Sequence, residues 1–332
     1  MEKIDFIITW VDSSDQKWIE EKNKYEITND LKKVDARNNR YRDMNCLKYW
    51  FRGVEKYAPW VNKIFFVTYG HYPEWLNIDN KKIKIIKHSE FIPEKFLPTF
   101  NSNAIEAAFH KIQGISERFV YFNDDMFLIN KTKEKDFFRN GIPYDSMSFN
   151  PLVAEYGDKH FYKKICNDME IINKYFSFKE FVKNNRKKVF ALNQYKHIPI
   201  NYIFSGFKSF VGFFPFHLPV PYLKETFEEV WKKEPNILDK TMSFKFRNND
   251  DSVNHWLFEY WQFASGKFIQ RPSNFGIYTR VNEKNIEKIL LSTKYKVICI
   301  NDTAEFSDFE SDKEKIITCF EKKFPQKSSF EK

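Results

Sequence analysis

An α/β fold with a mostly parallel sheet is predicted by two features of the chain. Four short runs, at 5–11, 63–69, 118–123 and 295–300, are almost continuously apolar, as strands covered on both faces are. Apolar stripes at helical spacing fall between them, and strands alternating with helices define the class.

Each element has its own signal. After the first run, Leu47, Trp50, Phe51 and Val54 mark a helix that Pro59 stops. The run 82–87 alternates Lys and Ile and reads as a less buried strand. Asn103 opens an N-x-x-E start whose Glu106 completes a capping box. Ile105, Phe109 and Ile112 continue that helix, and Gly114 ends it. Further stripes are Leu223, Phe227, Val230 and Trp231, then Val253, Trp256, Leu257 and Tyr260, then Ile316, Ile317 and Phe320. The middle, 157–216, has no buried strand and is rich in Lys, Asn and Phe. It reads as a helical insertion over a catalytic core formed by 1–156 and 217–332. Its end carries Phe204, Phe207, Phe210, Phe213 and Phe214 beside Lys208, rings suited to an acceptor site, a membrane surface or simple packing.

Composition narrows the function classes. The net charge is +9, from 54 Lys plus Arg against 45 Asp plus Glu, which favours an anionic partner without identifying it. The four cysteines are far apart and form no C-x-x-C pair, arguing against structural zinc and a disulfide framework. No run approaches the ~18 apolar residues of a membrane span, and the first residues lack a basic leader. A cytoplasmic protein, peripheral to the inner face of the plasma membrane, is the expectation. Glycine-rich nucleotide loops, G-x-S-x-G and H-E-x-x-H are all absent, so phosphate would be held by metal and cationic side chains.

The acids provide the chemistry. Asp12 follows the first strand, Asn123-Asp124-Asp125 the third, and Asn301-Asp302 the last. Ligands of open α/β sheets lie beyond the carboxyl ends of strands, so these groups should converge. Adjacent carboxylates there can hold a hard divalent cation, and through it a diphosphate; the competing role of any one is to cap a turn. His217 sits in Phe-Pro-Phe-His-Leu-Pro-Val-Pro, a stiff segment able to aim a general base. Arg247 offers a fork suited to phosphate oxygens, although a surface ion pair is the commoner use. Glu106 and His110, four apart, would share a helical face.

These residues fall in four ordered blocks. The first is Ile4-Asp5-Phe6-Ile7-Ile8-Thr9-Trp10-Val11-Asp12. The second joins Arg40-Tyr41-Arg42-Asp43 to Tyr57-Ala58-Pro59-Trp60-Val61 and Pro73-Glu74-Trp75-Leu76-Asn77. The third holds Leu97-Pro98-Thr99-Phe100-Asn101-Ser102, Ala104-Ile105-Glu106 and Tyr121-Phe122-Asn123-Asp124-Asp125. The fourth has 244–251, Cys299-Ile300-Asn301-Asp302 and Phe324-Pro325-Gln326-Lys327. The chain thereby resembles the Stealth proteins, capsular polysaccharide phosphotransferases related to N-acetylglucosamine-1-phosphotransferase. Where the family's commoner pattern reads W-V-D-G-S-D, Ser13 replaces the glycine and Asp15 comes one residue late.

The resemblance implies a GT-A-like nucleotide-binding core, Mg2+ or Mn2+ on Asp124 and Asp125, and catalysis by Asp12, His217 and Arg247. The donor, UDP-N-acetylglucosamine or a related nucleotide sugar, is expected on Trp10, Asp12, Arg42, Asn101, Ser102, Glu106, Asn123, Asn301 and Asp302. Transfer of its sugar-1-phosphate to a capsular oligosaccharide or glycolipid would release UMP; an ordinary glycosyltransferase on the same fold would release UDP. Whether His217 or Asp12 is the base stays open, and nucleic acid is not expected as a partner. A non-catalytic glycan or nucleic-acid binder would suit the charge but has no need of clustered acids.

Overall fold

The computed structural model describes residues 3–27, 34–35, 41–153, 159–248, 252–302 and 309–332. Arg40 and 249–251, parts of two motif blocks, lie outside them, as does the 156/157 boundary. Five strands make the main sheet: β1 (Ile4–Thr9), β2 (Ile64–Thr68), β3 (Ile83–Lys87), β4 (Arg118–Phe122) and β5 (Val220–Leu223). Their order is β3-β2-β1-β4-β5, with the first four parallel and β5 antiparallel to β4. The α/β class and mostly parallel sheet are as predicted.

Alternation along each strand divides the core in two. Ile7, Phe65, Val67 and Tyr121 enter one layer, while Phe6, Ile8, Phe66 and Phe122 enter the other. All eight are buried, and each such side chain contributes about 1.5–3 kcal/mol of burial energy. At the edge strand β3, Ile83 and Ile86 face inward while Lys84 and Lys87 are exposed, which blunts the edge against further pairing.

The run 295–300 is a strand but does not join that sheet. Val297–Asn301 lies in a separate three-stranded sheet, parallel to Gly276–Arg280 and antiparallel to Met126–Leu128. An apolar run reports two covered faces, not the partner strand, and three residues are too few for Met126–Leu128 to show a period.

Helix Leu47–Tyr57 packs its predicted stripe on this second layer. Gly53 permits the close approach, since a Cβ there would lie 2.8 Å from the Leu128 carbonyl oxygen. The capping prediction at Asn103 needs correction. Helix Ser102–Ala107 starts earlier, with Asn101 accepting from the Asn103 N–H, and a 3-10 turn at Phe109–Lys111 follows it well before Gly114. Asn101 is the stronger cap because its own side chain reaches the second N–H of the turn. Glu106 and His110 consequently do not share a face: Glu106 turns toward the strand ends, while His110 packs on Phe227 and Trp231.

Residues 159–204 form helices Lys159–Tyr175, Phe178–Asn184, Arg186–Val189 and Ile198–Phe204, with a 3-10 segment Leu192–His197. Ile165, Met169, Ile172, Phe178 and Phe181 belong to the same apolar cluster as Ile7 and Tyr121. Helix Trp256–Ala264, apolar almost all round, is sandwiched between them. Among the described residues no helix is long and apolar enough to cross a membrane, and all four cysteines are unpaired.

Candidate active site

The register Ile8↔Phe122 brings the ends of β1 and β4 level, so 10–12 and 123–125 leave the sheet side by side. The chain runs from β1 outward through β2 to β3 and then crosses back to β4 on the other side of β1, which makes β1 and β4 the switch point where α/β sheets open a crevice. The turn Asn123-Asp124-Asp125 then joins the two sheets. Met126–Leu128 enters the second, and its antiparallel partner returns its carboxyl end to the same place. The Ile300 N–H donates to the Asp125 carbonyl at 2.9 Å. Asn301 and Asp302 thus reach the crevice from a different sheet.

Asp125 is the hub. Its Oδ2 accepts from Asn301 Nδ2 at 3.2 Å and from Cys299 Sγ at 3.4 Å, and lies 3.7 Å from His217 Nε2. His217 has φ 49°, a left-handed conformation unusual for a residue other than glycine. The flanking prolines and edge-to-face contacts with Trp256 and Tyr278 hold it there. Opposite, Arg247 Nε and Nη2 donate to Ser102 Oγ at 3.0 and 2.7 Å. Tyr121 Oη lies 3.0 Å from Glu106 Oε1 and 2.5 Å from Asn123 Oδ1. Arg42 closes another wall, donating from Nε and Nη2 to Asp302 at 2.8 and 2.7 Å and stacking 3.6 Å over Phe309.

Trp10, Arg42, Ser102, Glu106, Asn123, Asp124, Asp125, His217, Arg247, Asn301 and Asp302 line this single cleft. Two expected residues do not line it. Asn101 has no exposed surface and is spent on its cap and on donation to the Thr241 and Phe244 carbonyls. The Asp12 Oδ1 accepts from both the Ser14 N–H and Ser14 Oγ, at 2.8 and 2.6 Å.

Comparison with known proteins bears on this cleft. Conserved region 1 of the Stealth proteins matches residues 2–30, and conserved region 2 matches 40–144. The capsular polysaccharide phosphotransferase WcwK of Streptococcus pneumoniae is 44% identical over 100% of this chain and 99% of its own. The receptor polysaccharide phosphotransferase WefC of Streptococcus oralis is 41% identical over the whole of both chains. The chain belongs to the Stealth family. It is a transferase of phosphorus-containing groups. The exopolysaccharide phosphotransferase cps2G of Lactiplantibacillus plantarum is 36% identical over 99% of this chain and 96% of its own. Among solved structures, the galactosyltransferase LgtC covers 98% of both chains at 9% identity and a TM-score of 0.39, a superposition too loose to place any residue.

The electrostatics of this Stealth cleft separate its two neighbouring acids. Burial pushes the Asp125 carboxyl up, but the nearby His217, helped by the hydrogen bonds of Asn301 and Cys299, outweighs it and lowers the net value. Asp124 goes the other way. Loss of bulk water raises its carboxyl, and the negative charges of Asp125 and Asp43 add to the rise. Its side chain is exposed to the cleft's water, so burial acts less on it than in a closed core, and its acidic neighbours push the same way. Burial also raises Glu106, against Arg247, Tyr121 and Ser102, which lower it.

Asp125, His217 and Cys299 offer ligand atoms that all lie within 4.8 Å of one another. Asp125 Oδ1 is buried without a hydrogen-bond partner, as a carboxylate oxygen open to a cation is, and His217 Nε2 is likewise unpartnered and open to accept a proton. Burial first, then Asp125, keeps the Cys299 thiol far above its ordinary value, so it acts as an S–H donor rather than a thiolate ligand. The remaining carboxylate oxygens suit a hard cation such as Mg2+ or Mn2+.

Sequence reading missed the support of the first strand's end. His71 Nε2 accepts from the Asp12 N–H at 2.8 Å, so its proton sits on Nδ1, 3.0 Å from Asp15 Oδ2. Asp15 also caps helix Gln16–Ile27 through the Lys17 and Trp18 N–H groups. The late Asp15 therefore keeps a structural use. Asp43 holds the Trp10 indole, Nε1 to Oδ2 at 3.1 Å. A cap at Asp15 was readable from the sequence, but no local signal links His71 to it across 56 residues.

Proposed function

We propose that this Stealth enzyme transfers a sugar-1-phosphate from a UDP-sugar, N-acetylglucosamine or a related hexose, to a hydroxyl of a surface polysaccharide under construction. The observation that carries the reading is the convergence, in one cleft, of a carboxylate hub, a rigid histidine and a braced arginine. The polysaccharide phosphotransferase names of full-length relatives support the acceptor class.

His217 Nε2 takes the proton of the acceptor hydroxyl. The freed oxygen bonds to the β-phosphorus, the bond from that phosphorus to the bridging oxygen breaks, and its electron pair leaves with UMP. Arg247, held on Ser102, stabilises the equatorial phosphoryl oxygens. A divalent cation on Asp125 and Asp124 would neutralise part of the diphosphate charge. His217 is preferred to Asp12 as base because the Asp12 carboxylate is engaged by Ser14 outside the cleft lining. The acceptor is an oligosaccharide or glycolipid, met at the inner face of the plasma membrane.

The test incubates purified enzyme with a panel of UDP-sugars and an oligosaccharide primer, and identifies the nucleotide released. UMP is the expected product. UDP would replace phosphotransfer with glycosyl transfer, and full turnover in excess chelator would end the metal assignment.

A further inference from the structure

The outer face of the helical segment beside the cleft has its polarity reversed. Gln194 and Asn201 point inward and are buried, Gln194 donating to the Arg271 carbonyl at 2.5 Å. Asn201 donates to the Val189 carbonyl at 2.7 Å and accepts from the Phe149 N–H at 2.8 Å. Outward point Leu192, Tyr195, Tyr202, Ile203, Phe207 and Phe214, from 40% to 83% exposed. These are six of the twelve exposed large apolar residues among the described residues, gathered within 192–214. Buried amides that donate to carbonyls of the core fix the segment's inner face, so this exposure is the built orientation and not a loose loop. A face of this kind is suited to surroundings less polar than water.

Charge selects what those surroundings are. From 181 to 224 the sequence has seven Lys or Arg residues and no Asp or Glu. Lys196 and Lys208 are exposed among the rings, and Lys183, Arg186 and Lys187 are exposed on the preceding turns. Exposed aromatic and aliphatic groups interspersed with exposed cations match the boundary of an anionic bilayer, where rings enter the acyl edge and lysines meet headgroup phosphates. The same surface runs to the cleft. Phe214 packs on Phe216 at 4.8 Å, His197 touches both at 5.4 Å, and the next residue is His217.

We propose that the 192–214 face seats the enzyme on anionic lipid, with the mouth of the cleft beside the headgroups. The proposal gives a surface to the membrane-side reading above, but its test does not depend on phosphotransfer. The full chain is sedimented with vesicles of phosphatidylglycerol and phosphatidylcholine, and with phosphatidylcholine alone. Binding to the anionic vesicles alone, weakened by salt, is expected. The pair Tyr202→Ser and Ile203→Ser should lower it about tenfold or more, as should Lys196→Glu with Lys208→Glu. Both double variants change exposed side chains, so turnover of a soluble primer should stay as in the parent. If the serine pair lowers Tm, the lysine pair, which removes no apolar contact, decides. Equal binding to both vesicle types, no binding, or binding indifferent to the lysine pair overturns the proposal. A dimer in solution that the serine pair dissolves would assign the face to a second copy instead.

Discussion

Asp12 and Asp125 occupy equivalent places in the fold and have opposite fates. Each comes after a strand of the same sheet, at the same edge, with those strands in direct register. Asp12 gives Oδ1 to the N–H and hydroxyl of Ser14, an Asx-type turn leading into helix Gln16–Ile27. Asp125 is succeeded by another strand, Met126–Leu128, whose first N–H is given to the Asn123 carbonyl. No local N–H claims the Asp125 carboxylate, so it faces across the cleft to His217, Asn301 and Cys299. Standing beyond a strand brings an acid to the site; whether a turn or a strand comes next in the chain decides if the acid remains available there.

The largest effect should come from the available acid. Asp125→Asn keeps the shape and Asn301 but removes the charge at the hub, and transfer should fall by at least about a hundredfold. Steady-state transfer and far-UV circular dichroism check this together, since the fold should be retained. A fully active Asp125→Asn enzyme would break the comparison. Arg247→Ala should rank close behind, costing about 2–4 kcal/mol in turnover at every pH, because a guanidinium stays charged throughout.

His217→Ala sharpens the comparison through pH. As base, His217 works only in its neutral form, so the alanine variant should flatten the acidic limb of the pH–rate profile. Asp124 contributes to the same limb if it holds the cation, since only its ionised form can. Asp43→Asn removes a like charge that raises the Asp124 carboxyl, so ionisation then survives to lower pH and the limb moves toward acid. A shift toward alkaline pH in a pH–rate profile would contradict that arrangement.

Much of this was legible beforehand for identifiable reasons. The runs at 5–11, 63–69 and 118–123 became β1, β2 and β4 because continuous apolarity reports burial on both faces. The run at 295–300 became a strand in another sheet, since partner choice depends on a three-residue strand with no period of its own. Convergence of Asp125 and Asn301 was predicted correctly although the sheet carrying Asn301 was not. At the site, residue type marked the cleft groups, but type does not distinguish a ligand from a cap. Asn101 and Asp12 therefore look like Asn123 and Asp125 in sequence and differ only in which N–H lies within reach. The His71–Asp15 contact joins residues 56 apart, beyond any local pattern.

The smallest effect should come from the acid that is already spent. In Asp12→Asn the amide oxygen still accepts from the Ser14 N–H and hydroxyl, and the backbone N–H still donates to His71. What is lost is one negative charge near the start of helix Gln16–Ile27, worth about 0.3–1 kcal/mol of stability at an exposed site. Asp15, closer to that helix and hydrogen-bonded to two of its N–H groups, retains most of the favourable charge. Transfer by Asp12→Asn should therefore stay within about threefold of the parent, on the scale where a tenfold change is about 1.4 kcal/mol. Its pH–rate profile should keep the acidic limb that His217→Ala loses. If instead Asp12→Asn matches Asp125→Asn in severity and also flattens the limb, the carboxylate is leaving Ser14 during turnover. The base role would then pass from His217 to Asp12.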